Sequence, residues 1–487
     1  MTTLQDITGA LHRAGLLTAS AEAAPVLGGV TEDSRRVRPG DLFCAVRGSA
    51  ADGHTFLGDA VRRGAVAALV AERRSHALPQ VVVTDTRQAV AVAAARWYGN
   101  PAAELRLIAV TGTNGKSTTV ALIRHLLNHR GDVGSVGTLG AFDGAGASVA
   151  PDQVLTTPGA VELHRIFRAL RERAVTTCVM EASSHALDQQ RLAGLRFGTA
   201  VFTNLTHDHL DYHADLAAYC ASKLSLVELV EAGGTVVVNA DDRAWAAMPV
   251  RPGQRLLRFG RKANADIHPR RAVPDATGTD LELQFPDGVA QVRLPLLGDF
   301  NVANALGAAA AAWSAGVVPD QIATRLATVP QVAGRMERIG GNGFMVLRDY
   351  AHTPDALERV IASLRPVTPG RLVVVFGCGG DRDRRKRPLM GQIAARGADI
   401  AVVTSDNPRT EDPDRIMDEI EEGMDGVAHL RVTDRREAIR RAVALLAPGD
   451  CLLLAGKGHE TYQVVGTTRY PMDERDLVRD ALAARAG

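Results

Sequence analysis

Cysteine is scarce and unpaired in this chain of 487 residues: Cys44, Cys178, Cys220, Cys378 and Cys451 are odd in number, scattered, and never in Cys-x-x-Cys spacing. That excludes a disulfide framework and indicates no zinc site, so five small buried apolar side chains in a reducing compartment are expected. A charge of one sign is lacking too. Lys plus Arg number 56 against 55 Asp plus Glu, which leaves no bulk field to draw the chain to nucleic acid or an anionic membrane. Aromatic residues are only 4% of the total, so base-stacking platforms are missing as well and nucleic acid is not an expected partner. No apolar run reaches the roughly 18 residues that span a bilayer. Residues 1–17, MTTLQDITGALHRAGLL, carry no basic segment followed by an apolar one. The expectation is a cytoplasmic protein without membrane insertion.

Hydrophobic residues make up 46%, which at this length implies about three domains with a core each. The first hundred residues hold short β-type runs at 41–46, 65–70 and 80–84 and one helical pattern at 86–97, before Tyr98-Gly-Asn-Pro101 breaks the chain. From 105 to about 328, β-rich segments (105–110, 176–181, 197–203, 235–239) alternate with helical ones. That alternation predicts a mostly parallel sheet with helices on both faces. A second break falls at 329–334. Three more apolar strands follow at 371–376, 399–404 and 451–455, separated by helices, and predict a second doubly wound unit. The fold class is therefore α/β, with units over 1–100, 101–330 and 331–487.

Residues 109–118 read AVTGTNGKST directly after the first apolar run of the middle unit. A strand, a glycine-rich turn and a helix in that order make a phosphate-binding loop. Gly112 and Gly115 let the backbone N–H groups approach a polyphosphate at the positive end of the helix. Lys116 can reach the β- and γ-phosphates, and Ser117 can offer its hydroxyl to Mg²⁺. Val110 stands where the usual motif has its first glycine, so the loop is a shortened variant that binds ATP or GTP. A bare Gly-Lys-Ser is often a surface turn; the flanking strand and helix argue against that here.

In open parallel sheets ligands bind beyond the carboxyl ends of the strands. The strand at 176–181 ends on Glu181, a carboxylate beside the phosphate loop of the kind a Mg²⁺–nucleotide complex needs; the plainer reading is a helix N-cap. The strand at 197–203 leads into Asn204-Leu-Thr-His-Asp-His-Leu-Asp-Tyr-His213. His207, His209 and His213 lack the spacing of a zinc set, and His209 is favoured as a ligand of a second Mg²⁺. In the last unit the strand ends carry Gly377-Cys-Gly-Gly-Asp-Arg-Asp383, Ser405-Asp-Asn-Pro-Arg409 and Gly456-Lys-Gly-His-Glu460. Arg382 and Arg409 can fork onto a carboxylate and Glu460 can hold an ammonium, which suits an amino-acid zwitterion. The basic run 382–387 could otherwise be a solvated loop.

Taken in order, Thr31-Glu-Asp-Ser-Arg35, Pro39-Gly-Asp-Leu-Phe43, the loop 112–118, Thr156-Thr-Pro158, residues 181–191, Asp208-His-Leu-Asp211, Gly334-Arg-Met-Glu337, Asp349-Tyr-Ala-His352 and the three late loops resemble the Mur ligases of bacterial cell-wall synthesis, most of all the branch that adds the third peptide residue. The likeness covers nearly the whole chain. It implies an N-terminal domain for a UDP substrate, a central ATPase and a C-terminal Rossmann-like domain for the incoming amino acid. The implied substrates are UDP-N-acetylmuramoyl-L-alanyl-D-glutamate, diaminopimelate and ATP with Mg²⁺, handled by a monomer. The matching positions are Glu32, Ser34, Ser49, Ala50 and Ala51 for the uridine nucleotide, and Thr156, Thr157, Ser183, Gln189 and Arg191 for the muramoyl-dipeptide. Gly112, Thr113, Asn114, Gly115, Lys116, Ser117, Thr118, Asn304, Arg335 and Asp349 match the ATP site. Arg382, Asp406, Asn407, Pro408, Arg409, Gly456 and Glu460 match the diaminopimelate contacts. Catalysis would rest on Lys116, Glu181, His209 and a carbamylated Lys223, with Ser117, Glu181, His209 and Lys223 around the metal. Lys223 lies on a helix expected over 216–229; its plainer reading is a surface lysine. Folylpolyglutamate synthetases share the Gly-Thr-Asn-Gly-Lys loop, but they start close to it, whereas a hundred residues precede it here. A nucleotide-dependent binding module that no longer catalyses is the third reading, and intact Lys116, Glu181, His209 and Lys223 argue against it.

Overall fold

Three sheet-centred units follow one another in the computed structural model, which describes residues 1–21, 23–48, 51–151, 153, 155–341 and 343–486. The first is a five-stranded sheet in the order Leu17–Ala19, Gln80–Val83, Ala67–Val70, Asp41–Cys44 and Gly29–Thr31. Only Leu17–Ala19 runs antiparallel to its neighbour. The three inner strands are buried at every position, as strands covered on both faces must be. Helices Leu4–Arg13 and Thr86–Trp97 pack on one face through Leu4, Ile7, Leu11, Ala89 and Ala93.

The second sheet has seven strands with Arg106–Thr111 at its centre, between Thr177–Glu181 and Phe197–Phe202, both parallel to it. Its one antiparallel pair is the hairpin Val133–Gly137 with Gly140–Phe142 at the edge. Helices Lys116–Leu127 and Asp299–Ser314 lie together on one face. Ala308, Ala309, Ala310, Ala311 and Ala312 are all buried in the latter, and their small side chains permit the close approach. Helix Ala160–Glu172 covers the other face through Leu163, Ile166, Phe167 and Leu170. A three-stranded antiparallel sheet, His268–Asp275, Gly278–Phe285 and Gly288–Leu294, packs into the same core as the first two helices; the alternation of strand and helix did not predict it. The helix expected over 216–229 ends at Leu224 and tightens into a 3-10 turn, Ser225–Leu229.

The third sheet has six strands, in the order Glu337–Gly340, Met345–Asp349, Cys451–Ala455, Leu372–Phe376, Ile400–Val403 and Leu430–Arg431, parallel except for the first pair. The three strands read from sequence are thus adjacent, and their carboxyl ends open on one side. All five cysteines are free, four of them buried, and burial pushes the Cys178, Cys378 and Cys451 thiols up to about 12. No helix among the described residues is long and apolar enough to cross a membrane.

One ion pair in this unit is sealed from water. Arg435 and Glu474, each 0% exposed at the side chain, meet at 2.8 Å, and Arg435 also donates to the Ala455 carbonyl at 2.9 Å. The pair joins helices Arg435–Leu445 and Glu474–Ala486 to the end of the Cys451–Ala455 strand. Removing one partner strands a buried charge, which costs about 3–5 kcal/mol. Glu474→Ala is therefore expected to lower the stability of this unit by about that amount in denaturant unfolding; a loss below about 1 kcal/mol would show that Arg435 finds another partner.

Candidate active site

The phosphate loop is bolted to the end of the neighbouring strand. Thr203 Oγ1 donates to the Asn114 carbonyl at 2.7 Å, and Asn204 Oδ1 accepts from the Asn114 backbone N–H at 2.9 Å. The Asn204 carbonyl accepts from the Thr113 N–H at 2.7 Å. Gly112 and Gly115 sit at φ 143° and 85°; a Cβ at Gly112 would overlap Thr203 Oγ1, and one at Gly115 would overlap Asn304 Oδ1. Both glycines are thus required by contact as well as by φ. Lys116 opens the helix and turns its ammonium back onto the Gly112 and Thr113 carbonyls at 3.0 and 2.7 Å. Burial holds Lys116 below the ordinary lysine range against the pull of Glu181 and Asp208.

Around the loop lies a cavity of about 330 Å³. Thr113, Asn114, Gly115, Lys116, Ser117 and Thr118 form one wall. Glu181 and Ser183 come from the next strand end, Thr156 from the loop before helix Ala160–Glu172, His209 and Lys223 from the segment after Phe202, and Asn304 from helix Asp299–Ser314. Arg335 and Asp349 reach it from the third unit, where Arg335 donates to Ser117 Oγ at 3.2 Å and lies 4.6 Å over the Tyr350 ring. Asp349 accepts from the Met336 and Ala351 N–H groups at 2.7 and 2.8 Å, while burial raises its carboxyl above the usual range.

Glu181 is 1% exposed and held by Thr138, which donates its N–H at 2.7 Å and its hydroxyl at 3.2 Å. Its side chain therefore faces the cavity as a fixed carboxylate rather than an N-cap; that role belongs to Ser183, which accepts from the Ala186 N–H. His209 adopts the left-handed conformation, φ 54°, with its ring 4.7 Å from that of His185. Burial lowers the His209 pKa, helped by Lys116 and Lys223 and opposed by Asp208. His213 meets Tyr212 edge-on and lies tilted against Tyr219 behind it.

Lys223 is 1% exposed, which rules out the surface-lysine reading. Its ammonium donates to the Gly112 carbonyl at 2.8 Å and lies 4.3 Å over the Tyr219 ring. Burial first and Lys116 second drive its pKa well below the lysine value. Among the described residues, no three His, Cys, Asp or Glu side chains converge as a metal cage. A fixed carboxylate and a hydroxyl on one cavity suit Mg²⁺, which takes few protein oxygens and keeps water and phosphate for the rest.

Toward the first unit, Thr157 Oγ1 donates to the Glu181 carbonyl at 2.8 Å and accepts from the Ser183 N–H at 3.1 Å. Arg191 donates to the Thr157 carbonyl at 2.8 Å and to Gln189 Oε1 at 2.7 Å, and feels the charge of Glu32. Glu32 abuts Gly159, where a Cβ would overlap its carboxylate. Ser34 starts the 3-10 turn Ser34–Arg36. Ala51 is exposed, while Ser49 and Ala50 lie outside the described residues.

The late loops form a second cluster. Asn407 Nδ2 donates to Glu460 Oε2 at 2.9 Å, and Lys457, 0% exposed at its side chain, donates to Asn407 Oδ1 and Glu460 Oε2 at 3.0 and 3.1 Å. Glu460, read from sequence as an ammonium holder, thus already faces the chain's own lysine. A Cβ on Gly456 would come to 2.6 Å from Asp406 Oδ2, so the two loops touch. Arg409, half-buried at φ 51°, donates to the Gly380 carbonyl at 2.8 Å just beyond Pro408. Arg382 is exposed and donates to the Asp381 carbonyl at 3.0 Å.

Sequence reasoning passed over Asn204, Thr138, Asp355 and Lys457. Asn204 and Lys457 stood inside the quoted strand ends, and their place there was the signal. Asp355, at the start of helix Pro354–Leu364, accepts from Asn114 Nδ2 at 3.1 Å; nothing in the sequence joins residues so far apart.

Three family models tile the chain: Mur ligase family, catalytic domain (27–102), Mur ligase middle domain (110–312), and Mur ligase, glutamate ligase domain (334–458). A Gloeobacter violaceus protein named UDP-N-acetylmuramoyl-L-alanyl-D-glutamate–2,6-diaminopimelate ligase is 43% identical over 481 residues, covering 98% of this chain and 97% of its own. The chain is a Mur ligase. An Agrobacterium fabrum protein of the same name is 42% identical with 99% of both chains covered. A solved structure of a ligase so named aligns with a TM-score of 0.68 at 34% identity over 95% of this chain and 96% of that one. A Mycobacterium tuberculosis folylpolyglutamate synthase complexed with ADP shares the fold over 76% of this Mur ligase and 91% of its own chain, at 21% identity and a TM-score of 0.64.

Gly115 offers a direct test of the loop. Gly115→Ala introduces both a left-handed strain of about 1–2 kcal/mol and the overlap with Asn304. It is expected to weaken ATP binding at least about tenfold in a calorimetric titration with the fold retained; unchanged affinity would mean that Asn304 yields freely.

Proposed function

We propose that this Mur ligase joins diaminopimelate to UDP-N-acetylmuramoyl-L-alanyl-D-glutamate at the cost of ATP, releasing ADP and phosphate for peptidoglycan precursor synthesis. The carrying observation is that Lys116, Ser117, Glu181, Thr156 and Ser183 line one cavity. In this reading the three sheet units are the UDP-substrate (1–100), ATP (101–330) and amino-acid (331–487) domains, and the enzyme works as a monomer in the cytoplasm.

A carboxylate is a poor acyl donor. The D-glutamyl γ-carboxylate therefore attacks the γ-phosphorus of ATP, giving an acyl phosphate and ADP; the amine then attacks the acyl carbon, phosphate leaves, and the amine's proton goes to solvent. The Gly115 and Lys116 backbone N–H groups and the Lys116 ammonium stabilise charge on the transferred phosphoryl oxygens. Arg335 and Asp349 meet the nucleotide from the amino-acid domain, and Asn304 holds the loop at Gly115. Ser117, Glu181, His209 and Lys223 would hold Mg²⁺, which supplies further neutralisation of the phosphates. Thr156, Thr157, Ser183, Gln189 and Arg191 orient the muramoyl-dipeptide; Glu32, Ser34, Ser49, Ala50 and Ala51 meet the uridine nucleotide. Arg382, Asp406, Asn407, Pro408, Arg409, Gly456 and Glu460 take diaminopimelate. ADP release is expected only when both the UDP substrate and diaminopimelate are supplied, and coupled release with a folate and glutamate instead would overturn the reading.

A buried ammonium on Lys223, repelled by Lys116, is a poor neighbour for Mg²⁺. Its depressed pKa supplies the neutral amine that adds CO₂ and loses a proton to become a carbamate, an anion able to bind metal. Intact-mass measurement in bicarbonate is expected to find one added CO₂ on Lys223. Lys223→Ala is expected to be inactive and partly rescued by small carboxylic acids; full activity of that variant would dismiss the carbamate.

Diaminopimelate differs from lysine by one terminal carboxylate, and Arg409, aimed by Pro408, retains N–H donors for it. Losing a charged hydrogen-bond partner costs about 1.5–3 kcal/mol, about tenfold to a hundredfold. Wild type is expected to prefer diaminopimelate over L-lysine in kcat/KM by about that factor, and Arg409→Ala to lose most of the preference. Undiminished discrimination in the variant would assign the terminal carboxylate elsewhere.

A further inference from the structure

A second cavity, of about 300 Å³, lies between the first and second units and shares no lining residue with the nucleotide cavity. Its walls come from helix Leu4–Arg13, the end of helix Thr86–Trp97, helix Ala160–Glu172 and the turn at Ala193–Gly194. Alanines and Val92 supply the apolar part. The polar part is Arg13, Arg96, Asn100 and His164, with no Asp or Glu in the lining.

Of those polar groups His164 is buried, while Arg13 and Asn100 are exposed. His164 is 4% exposed, and neither ring nitrogen has a hydrogen-bond partner among the described residues, Nδ1 being fully buried. Buried polar groups are otherwise almost always satisfied. The exposed Arg13 side chain has no counterion and no hydrogen bond among the described residues. The Asn100 side chain makes no cap bond although its backbone is left-handed at φ 54°. Arg96 alone is paired, donating to Asp6 at 2.7 Å, so the unmatched charge of the cavity is positive. Burial holds His164 neutral down to about 4, so it offers one N–H and one lone pair. The size falls at the lower bound of small-molecule pockets, about 300–1,000 Å³.

We propose that this cleft is a binding site for a small organic anion, a carboxylate or phosphate ester on a compact apolar body, with the anion on Arg13 and Asn100, a hydrogen bond to His164, and the body against Ala91, Val92 and Ala95. An occupant touches both units at once and abuts Ala193, two residues from Arg191.

Binding is read without any activity assay, so its failure is separate from that of the proposed reaction. Calorimetric titrations of the full chain with benzoate and with phenyl phosphate are expected to show one saturable site that persists in Lys116→Ala. The tighter of the two names the head group. Arg13→Gln, a surface change, is expected to weaken it about tenfold or more, and Ala95→Phe to abolish it by filling the cavity. Inorganic phosphate is expected to bind more weakly than phenyl phosphate, and benzyl alcohol to bind weakest. The proposal is overturned if neither anion binds, if Lys116→Ala removes the site while Arg13→Gln keeps it, or if benzyl alcohol or inorganic phosphate binds as tightly as the two aryl anions.

Discussion

Everything at the nucleotide cavity depends on keeping a short stretch of backbone bare and stiff. Gly112 and Gly115 leave the start of the helix open to a polyanion, and a loop so bare would ordinarily be loose. Stiffness is imported instead from the adjoining strand, whose Thr203 and Asn204 bond the Asn114 and Thr113 backbone. Because Phe197–Phe202 pairs in parallel register with Arg106–Thr111, the two strand ends arrive side by side and the clamp follows from the sheet. Asn304 packs against Gly115 from a helix whose run of alanines lets it sit close.

Charge is arranged by the same economy. Lys116 and Lys223 both donate to one carbonyl, that of Gly112, while Glu181, which Thr138 fixes in place, and Asp208 supply the opposing charge felt by Lys116. The interior therefore gathers two ammonium groups at the loop, with carboxylates close enough to offset them. Three residues at these loops, His209, Met336 and Arg409, are non-glycine residues in the left-handed region, each at a cost of order 1 kcal/mol. Such strain persists where surrounding bonds over-determine the backbone.

Much of this was legible in the chain because parallel sheets write themselves as apolar runs with chemistry at their ends. The strands around Ile108, Val179, Val201, Val374 and Leu453 were visible for that reason, and so were Lys116, Glu181 and Arg409 just beyond them. The antiparallel sheet His268–Leu294 was not, because its half-exposed strands alternate and carry charges, although Pro286-Asp-Gly288 marks one of its turns. Helix Leu216–Leu224 was drawn too long because the tightening at Ser225 leaves the apolar period intact. Whether Lys223 was surface or core could not be read from spacing; only the packing of Tyr219 beneath it decides. Contacts between units, such as Asn114 with Asp355, have no local signature at all.

That last contact has a thermodynamic meaning. Asp355 belongs to the third unit, yet it accepts hydrogen bonds from Asn114 and, at 3.4 Å, from Thr206, so any swing of that unit breaks a bond to the phosphate loop. The loop's shape and the orientation of the far sheet are then not independent variables. By reciprocity of linked equilibria, whatever factor nucleotide gains from having the third unit docked, a ligand seated on the third unit gains from having nucleotide in place. Order of addition then need not be enforced by any gate: nucleotide and a ligand on the third unit would report on each other through Asp355 and through Arg335, which bonds Ser117.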